Sequence, residues 1–150
     1  MNYQLQLDIN RPRAEVLALF LDPARLPDWQ PDLVDVTPLS DGDPRDVGAT
    51  ARQIHQMGQR KIEITETITR RDDPETYAAV YEGAGMRSEV ENQFTELETG
   101  GTRWVVSTDL TCQNLLMRAM TWVMPGMFKR QTRDFMFRFR DFAEGRPLSR

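Results

Sequence analysis

Between Asn114 and Glu144 the apolar residues Met117, Met120, Met124, Phe128, Phe135, Phe139 and Phe142 recur at helical spacing. At about 100° per residue they share one continuous face, the pattern of an amphipathic helix. Lys129, Arg133 and Arg140 take the opposite face, with Arg130 and Asp141 at its edge. Trp122 and Phe137 fall on the charged side if the helix is one straight rod. Pro125-Gly126 argues against a single rod, because proline removes a backbone donor and kinks or breaks a helix. The pattern therefore predicts a first segment from Asn114 to Met124, a joint, and a main helix to Glu144. Phe137 lies beyond the joint and reads as a loosely covered surface ring or a homodimer contact.

At the other end of the chain, Tyr3, Leu5, Leu7 and Ile9 alternate with Asn2, Gln4, Gln6 and Asp8, a half-buried strand at period two. Asn10 and Pro12 start a helix through Phe20, with Val16, Leu17, Leu19 and Phe20 on its apolar side. Asp22-Pro23 caps and opens a short second helix, which Pro27 and Pro31 bracket around Trp29 and stop. Turn chemistry then recurs at Asp41-Gly42-Asp43-Pro44, Gly58-Gln59, Asp72-Asp73-Pro74, Gly83-Ala84-Gly85 and Thr99-Gly100-Gly101. Strands are expected between these turns, near 33–39, 48–57, 60–71, 76–82, 86–97 and 102–112. Such close turns favour antiparallel hairpins, and no stretch is long enough for a crossover helix. The order is strand, two short helices, six strands, long helix, an α+β meander closing on its last element.

The 150 residues fit one domain, and the net charge of −4 gives no general reason to expect nucleic acid. Lys129, Arg130, Arg133, Arg138 and Arg140 form a basic run interrupted by Asp134 and Asp141; it reads as a solvated face or a membrane-surface contact. The single cysteine, Cys112, rules out an internal disulfide. No signal-peptide pattern and no bilayer-spanning stretch is visible, so a cytoplasmic protein is expected. One His and one Cys make no structural zinc set, and neither a phosphate-binding glycine loop nor a nucleophile elbow occurs. No metal or cofactor is therefore expected.

Certain residues carry a resemblance. They are Pro12-Arg13-Ala14-Glu15-Val16 leading to Leu19-Phe20, then Asp22 through Trp29, and Val47-Gly48-Ala49. Further on come Phe94-Thr95-Glu96-Leu97, Gly101-Thr102-Arg103-Trp104 and the terminal Phe142-Ala143-Glu144. With the element order they make the chain resemble the helix-grip, START-like superfamily, sequence class polyketide cyclase/dehydrase and lipid transport, over nearly its whole length. The resemblance implies a curved seven-stranded antiparallel sheet wrapped around the C-terminal helix, β-α-α-β6-α, with a cavity between them for an apolar small molecule. These positions mark the fold and are no catalytic signature.

Strand register extends the reading. Ile62, Ile64 and Ile68 mark the inward face of their strand and place Glu66 inward. A two-residue loop at Gly58-Gln59 pairs His55 with Ile62 and turns it inward beside Gln53 and Met57; a three-residue loop would flip it outward. Pairing Ile68 with Ala79 sets Tyr81 opposite Glu66 and Tyr77 opposite Arg70. Pairing Ala79 with Val90 brings Ser88 to Tyr81 and Asn92 to Tyr77. Phe94 opposite Trp104 then carries Val106 to Asn92 and Thr108 to Val90. Two polar clusters result, Glu66–Tyr81–Ser88 and Tyr77–Asn92, on a face that also holds Leu110. An inward carboxylate must be hydrogen-bonded or wet, so Glu66 is either paired inside or placed at a cavity mouth in water.

The expected ligand-lining residues are Ile64, Tyr77, Tyr81, Val90, Asn92, Phe94, Trp104, Val106, Met120, Met124, Phe128 and Phe135. Three functions fit this arrangement: a monomeric or homodimeric binder of a small hydrophobic, aromatic or lipid-like molecule; a cyclase- or dehydratase-type enzyme; and a protein-interaction module. In the enzyme, His55, Glu66 or Tyr81 would move a proton beside a carbonyl. In the interaction module, side chains would already fill the interior.

Overall fold

The computed structural model describes residues 1–148. Its elements are β1 (Asn2–Ile9), α1 (Arg13–Phe20), a 3-10 turn (Pro23–Arg25) running into α2 (Leu26–Trp29), β2 (Leu33–Pro38), β3 (Thr50–Met57) and β4 (Arg60–Asp72). They continue with β5 (Thr76–Gly83), β6 (Met86–Glu96), β7 (Thr102–Cys112), α3 (Leu115–Val123) and α4 (Met127–Ala143). The strands make one seven-stranded sheet in the order β1-β7-β6-β5-β4-β3-β2, every neighbour antiparallel. β1 pairs with β7, not with β2, because α1 and α2 intervene and carry the chain to the opposite edge.

Local chemistry accounts for the boundaries. Asp22 accepts a hydrogen bond from the Ala24 N–H at 3.0 Å, and Asn114 accepts one from the Met117 N–H at 2.8 Å to start α3. Pro27 does not stop the second helix as expected. It lies in the first turn of α2, where its missing N–H would have had no partner, and Pro31 alone follows the end. Gly58, at φ +64°, makes the tight β3–β4 connection and pairs Met57 with Arg60. α3 ends at Val123 and α4 begins at Met127, so the chain breaks at Pro125-Gly126 as the proline predicts.

The core lies where α1, α2 and α4 meet the inner face of the sheet. Phe20 sits at its centre, with ring centroids 5.3 Å from Phe94, 5.4 Å from Phe139, 5.6 Å from Trp104 and 5.7 Å from Tyr77. Trp29 packs on Phe135 and Phe139 at 4.8 and 4.9 Å. Trp104 and Phe139 are fully enclosed. Burial of a ring of this kind is worth about 1.5–3 kcal/mol. Relative to the periodic reading, the inward face of α4 is rotated. Met136 and Ala143 are buried beside Phe128 and Phe139, whereas Phe135 and Phe142 are half-buried. Asp141, expected at the edge of the charged face, is buried and lies 3.2 Å from Arg140. Phe137 is half-buried under the Arg140 guanidinium, 4.8 Å from its ring centre.

Candidate functional site

The inner face follows from register. His55 pairs with Ile62, Glu66 with Tyr81, Tyr81 with Ser88, Asn92 with Val106 and Phe94 with Trp104, all as expected. One pairing differs. A bulge between Ile68 and Arg70 shifts β4 by one position, so Tyr77 faces Arg71 and Arg70 turns outward to Asp72. The insertion leaves Glu66 and Ile68 in place and changes only the strand beyond them.

Burial divides this face into two zones. Tyr77, Phe94, Trp104, Val106 and Asn92 are closed off beneath the aromatic cluster. Ile64, Tyr81, Val90 and Met120 are only half-buried. Phe128, at the start of α4, is buried where the Tyr3 hydroxyl shares a 2.8 Å hydrogen bond with Thr132. Met124, expected to line the cavity, is instead 52% exposed at the end of α3. The helix breaks just beyond it, which releases it from the face it would share with Phe128 on a continuous rod.

Arg45 joins the two expected polar clusters into one network. Its Nη1 donates to the Tyr77 hydroxyl at 2.9 Å and lies 3.6 Å from Glu66 Oε1, while its Nε donates to the Leu21 carbonyl at 3.2 Å. Arg45 and Glu66 are 8% and 6% exposed, so the carboxylate is paired inside and does not sit in water at a mouth. The Arg45 backbone is held in turn, since its N–H donates to Asp43 Oδ1 at 2.8 Å and its carbonyl accepts from Arg71 at 3.3 Å. Asn92 completes the set: its amide donates to the Tyr77 carbonyl at 3.3 Å and accepts from the Trp104 indole at 3.0 Å.

The electrostatics follow from this packing. Burial, with the Glu66 carboxylate adding to it, pushes the Tyr77 phenol up to about 12. Burial and then Glu66 raise Tyr81 well above the ordinary phenol range, although the residue as a whole is half-buried. Both phenols are neutral at pH 7. Burial opposes the Arg45 charge, yet Tyr77, Glu66 and Tyr81 outweigh it and hold the guanidinium more firmly protonated than usual.

His55 stands apart. Its Nε2 lies 3.1 Å from Gln53 Oε1, and burial lowers its pKa against the pull of Asp32. Its partner Ile62 is four residues from Glu66 along β4, about 13 Å at the usual rise of a strand. His55 and Glu66 therefore do not form one acid–base pair. Three buried polar atoms, Trp29 Nε1, Arg52 Nε and Thr108 Oγ1, have no hydrogen-bond partner among the described residues. Thr108 lies on the inner face between Tyr3 and Val90, at the margin of the half-open zone.

A separate concavity of 770 Å³ lies on the outer face of the sheet, over Ala78 and Val80 and walled by Gln4, Arg87, Glu89 and Asp109.

Arg45 escaped the sequence reading. It follows a run of turn residues, in the β2–β3 connection, where no periodicity assigns a side chain to either face. The available signal was the inward Glu66, whose carboxylate requires a cation or donors from somewhere in the chain.

A curved antiparallel sheet gripping a C-terminal helix, with a mixed polar and apolar inner face, defines the helix-grip, START-like class. The chain belongs to the polyketide cyclase / dehydrase and lipid transport family, whose model matches residues 2–144. No curated protein matches it in sequence. Among solved structures it is similar to the Zhui aromatase/cyclase from Streptomyces, at 14% identity and a TM-score of 0.76, covering 96% of this chain and 93% of that one. It is also similar to a truncated norcoclaurine synthase from Thalictrum flavum, at 12% identity and 0.73, covering 95% and 92%. Ara h 8.0201 matches at 11% identity and 0.76, covering 97% and 98%. At these identities the likeness concerns the fold.

Proposed function

We propose that this chain binds a small hydrophobic, aromatic or lipid-like molecule between the inner face of the sheet and the helices above it. One observation carries the reading. The inward residues Ile64, Tyr81 and Val90 remain half-buried while their neighbours are sealed, and α3 buries none of its own residues. Apolar surface left accessible on the concave side of a sheet is the surface a ligand would cover. The Thr108 hydroxyl, enclosed and unpartnered, would hydrogen-bond a polar group of that ligand. The Arg45–Glu66–Tyr77 network is satisfied internally and serves to hold the β2–β3 connection against the sheet.

The test combines native mass spectrometry of gently purified protein with titration of a fluorescent apolar probe. The expected outcome is a retained small-molecule mass, or probe binding that Val90→Trp abolishes without changing the melting temperature. An empty spectrum together with a probe that fails to bind would refute the reading and favour a filled interior, as in an interaction module. A second reading, a cyclase- or dehydratase-type enzyme acting on an apolar carbonyl compound, is favoured by the Tyr81 phenol lying against the Glu66 carboxylate. Tyr81→Phe separates the two: a binder keeps its ligand with shifted affinity, whereas an enzyme stops exchanging the α-protons of a bound aryl ketone.

A further inference from the structure

α3 is apolar on the side that faces water. Leu115, Leu116, Ala119, Trp122 and Val123 fall within one arc of about 120° at helical spacing. Leu115 is 82% exposed, Leu116 72%, Trp122 90% and Val123 79%. Met117, Met120 and Thr121 turn the other way and are half-buried, and Met117 lies against Gly85 in the β5–β6 turn. A nine-residue helix that fully buries none of its residues and turns Leu115, Leu116, Trp122 and Val123 outward presents an apolar patch of the kind that marks an interaction surface.

The charge around this arc names the cover. From Gln113 to Arg133 the chain carries Arg118, Lys129, Arg130 and Arg133 and not one Asp or Glu. All four cations are exposed. In a chain of net charge −4 this stretch alone holds four positive charges, so the remainder holds −8. Arg118 borders the apolar arc beside Trp122, and Lys129 and Arg130 stand in the first turn of α4, just past the Pro125-Gly126 joint. We propose that α3 and the first turns of α4 dock on an anionic lipid bilayer, with Leu116, Trp122 and Val123 entering the interface and the four cations contacting its headgroups. Indole rings favour the membrane–water boundary, and each nearby basic residue adds attraction to anionic lipid. No helix among the described residues is long and apolar enough to cross a membrane, so the contact is peripheral. The acidic remainder of the protein is repelled by the same surface, which orients the molecule with α3 toward the lipid. The inference stands whether or not the inner face holds a ligand.

Trp122 is a built-in reporter, because Trp29 and Trp104 are 1% and 0% exposed. The experiment is co-sedimentation and tryptophan emission of the full chain with vesicles of phosphatidylcholine alone or doped with phosphatidylglycerol. Expected are binding to the anionic vesicles only, a blue shift of emission that Trp122→Phe removes, and release by high salt. Lys129→Glu/Arg130→Glu should weaken binding by tenfold or more, since one basic charge contributes about fivefold. Leu116→Ser/Trp122→Ala should weaken it on neutral exposed positions without altering the fold. Equal binding to neutral vesicles overturns the proposal. So does an absence of binding, or a concentration-dependent dimer that buries Trp122 in the absence of lipid.

Discussion

Arg45→Met isolates the buried network. The substitution keeps much of the side chain's volume and removes every donor, leaving Glu66 enclosed with no cation. At 3.6 Å, and with an effective dielectric constant of about 20, the Arg45–Glu66 attraction is about 4–5 kcal/mol. The cost of taking both ions out of water offsets most of that in the intact protein. Removing one partner leaves the other's desolvation uncompensated, so the expected loss is about 3–5 kcal/mol. The hydrogen bonds to Tyr77 and the Leu21 carbonyl disappear as well and keep the figure toward the upper end. For a chain of this length the melting temperature should fall by on the order of 10 °C. Urea unfolding followed by the fluorescence of Trp29 and Trp104 gives the free energy directly. Glu66→Gln in the Arg45→Met background closes a double-mutant cycle. The double variant should be more stable than the sum of the single losses predicts, by about 1–3 kcal/mol. A single-variant loss below about 1 kcal/mol, or additivity within about 0.5 kcal/mol, would mean that the pair is not the buried ion pair its geometry describes.

Two further outcomes follow from the same packing. Phe139→Ala should cost about 3–5 kcal/mol in chemical denaturation, because the ring is fully enclosed among Phe20, Trp29 and Trp104; a loss typical of a surface site would remove α4 from the core. His55 has a lowered pKa when folded, so the unfolded chain binds its proton first as the pH falls. Stability is therefore full above about pH 6.5 and declines below it, and His55→Gln should flatten that decline in melting curves collected from about pH 8 to pH 5. An identical slope in wild type and variant would show that the imidazole is not desolvated.

Much of this molecule is legible in its residues. Alternation at period two set β1 and the hairpin strands, and the proline-glycine joint divided the C-terminal helix. Because the side-chain period of a strand is two, the turn assignment at Gly58-Gln59 carried His55 to its observed face, the Ile62–Ile64–Ile68 face carried Glu66, and the pairings of Ile68 with Ala79 and Ala79 with Val90 carried Tyr81, Ser88 and Asn92. Among the predicted pairings the register slipped at the bulge after Ile68, and a second shift, between Leu33 and Asp35, interrupts the β2–β3 pairing. A bulge inserts one residue with no change in composition, so alternation alone does not announce it.

The candidate site was half legible for a physical reason. Facing pairs on neighbouring strands are determined by local hydrogen-bond geometry, which short-range pattern encodes. Arg45 reaches Glu66 from a connection whose path depends on the curvature of the whole sheet. Met124 and the outward arc of α3 depend on the direction the chain takes after Pro125, which no helical wheel contains. Residue order by itself determined the elements and, apart from the bulge, the pairing and inward side chains of β3 to β7. Only the tertiary structure decided how the buried carboxylate is neutralised, which part of the inner face the aromatic cluster seals, and that an apolar helix is left facing water.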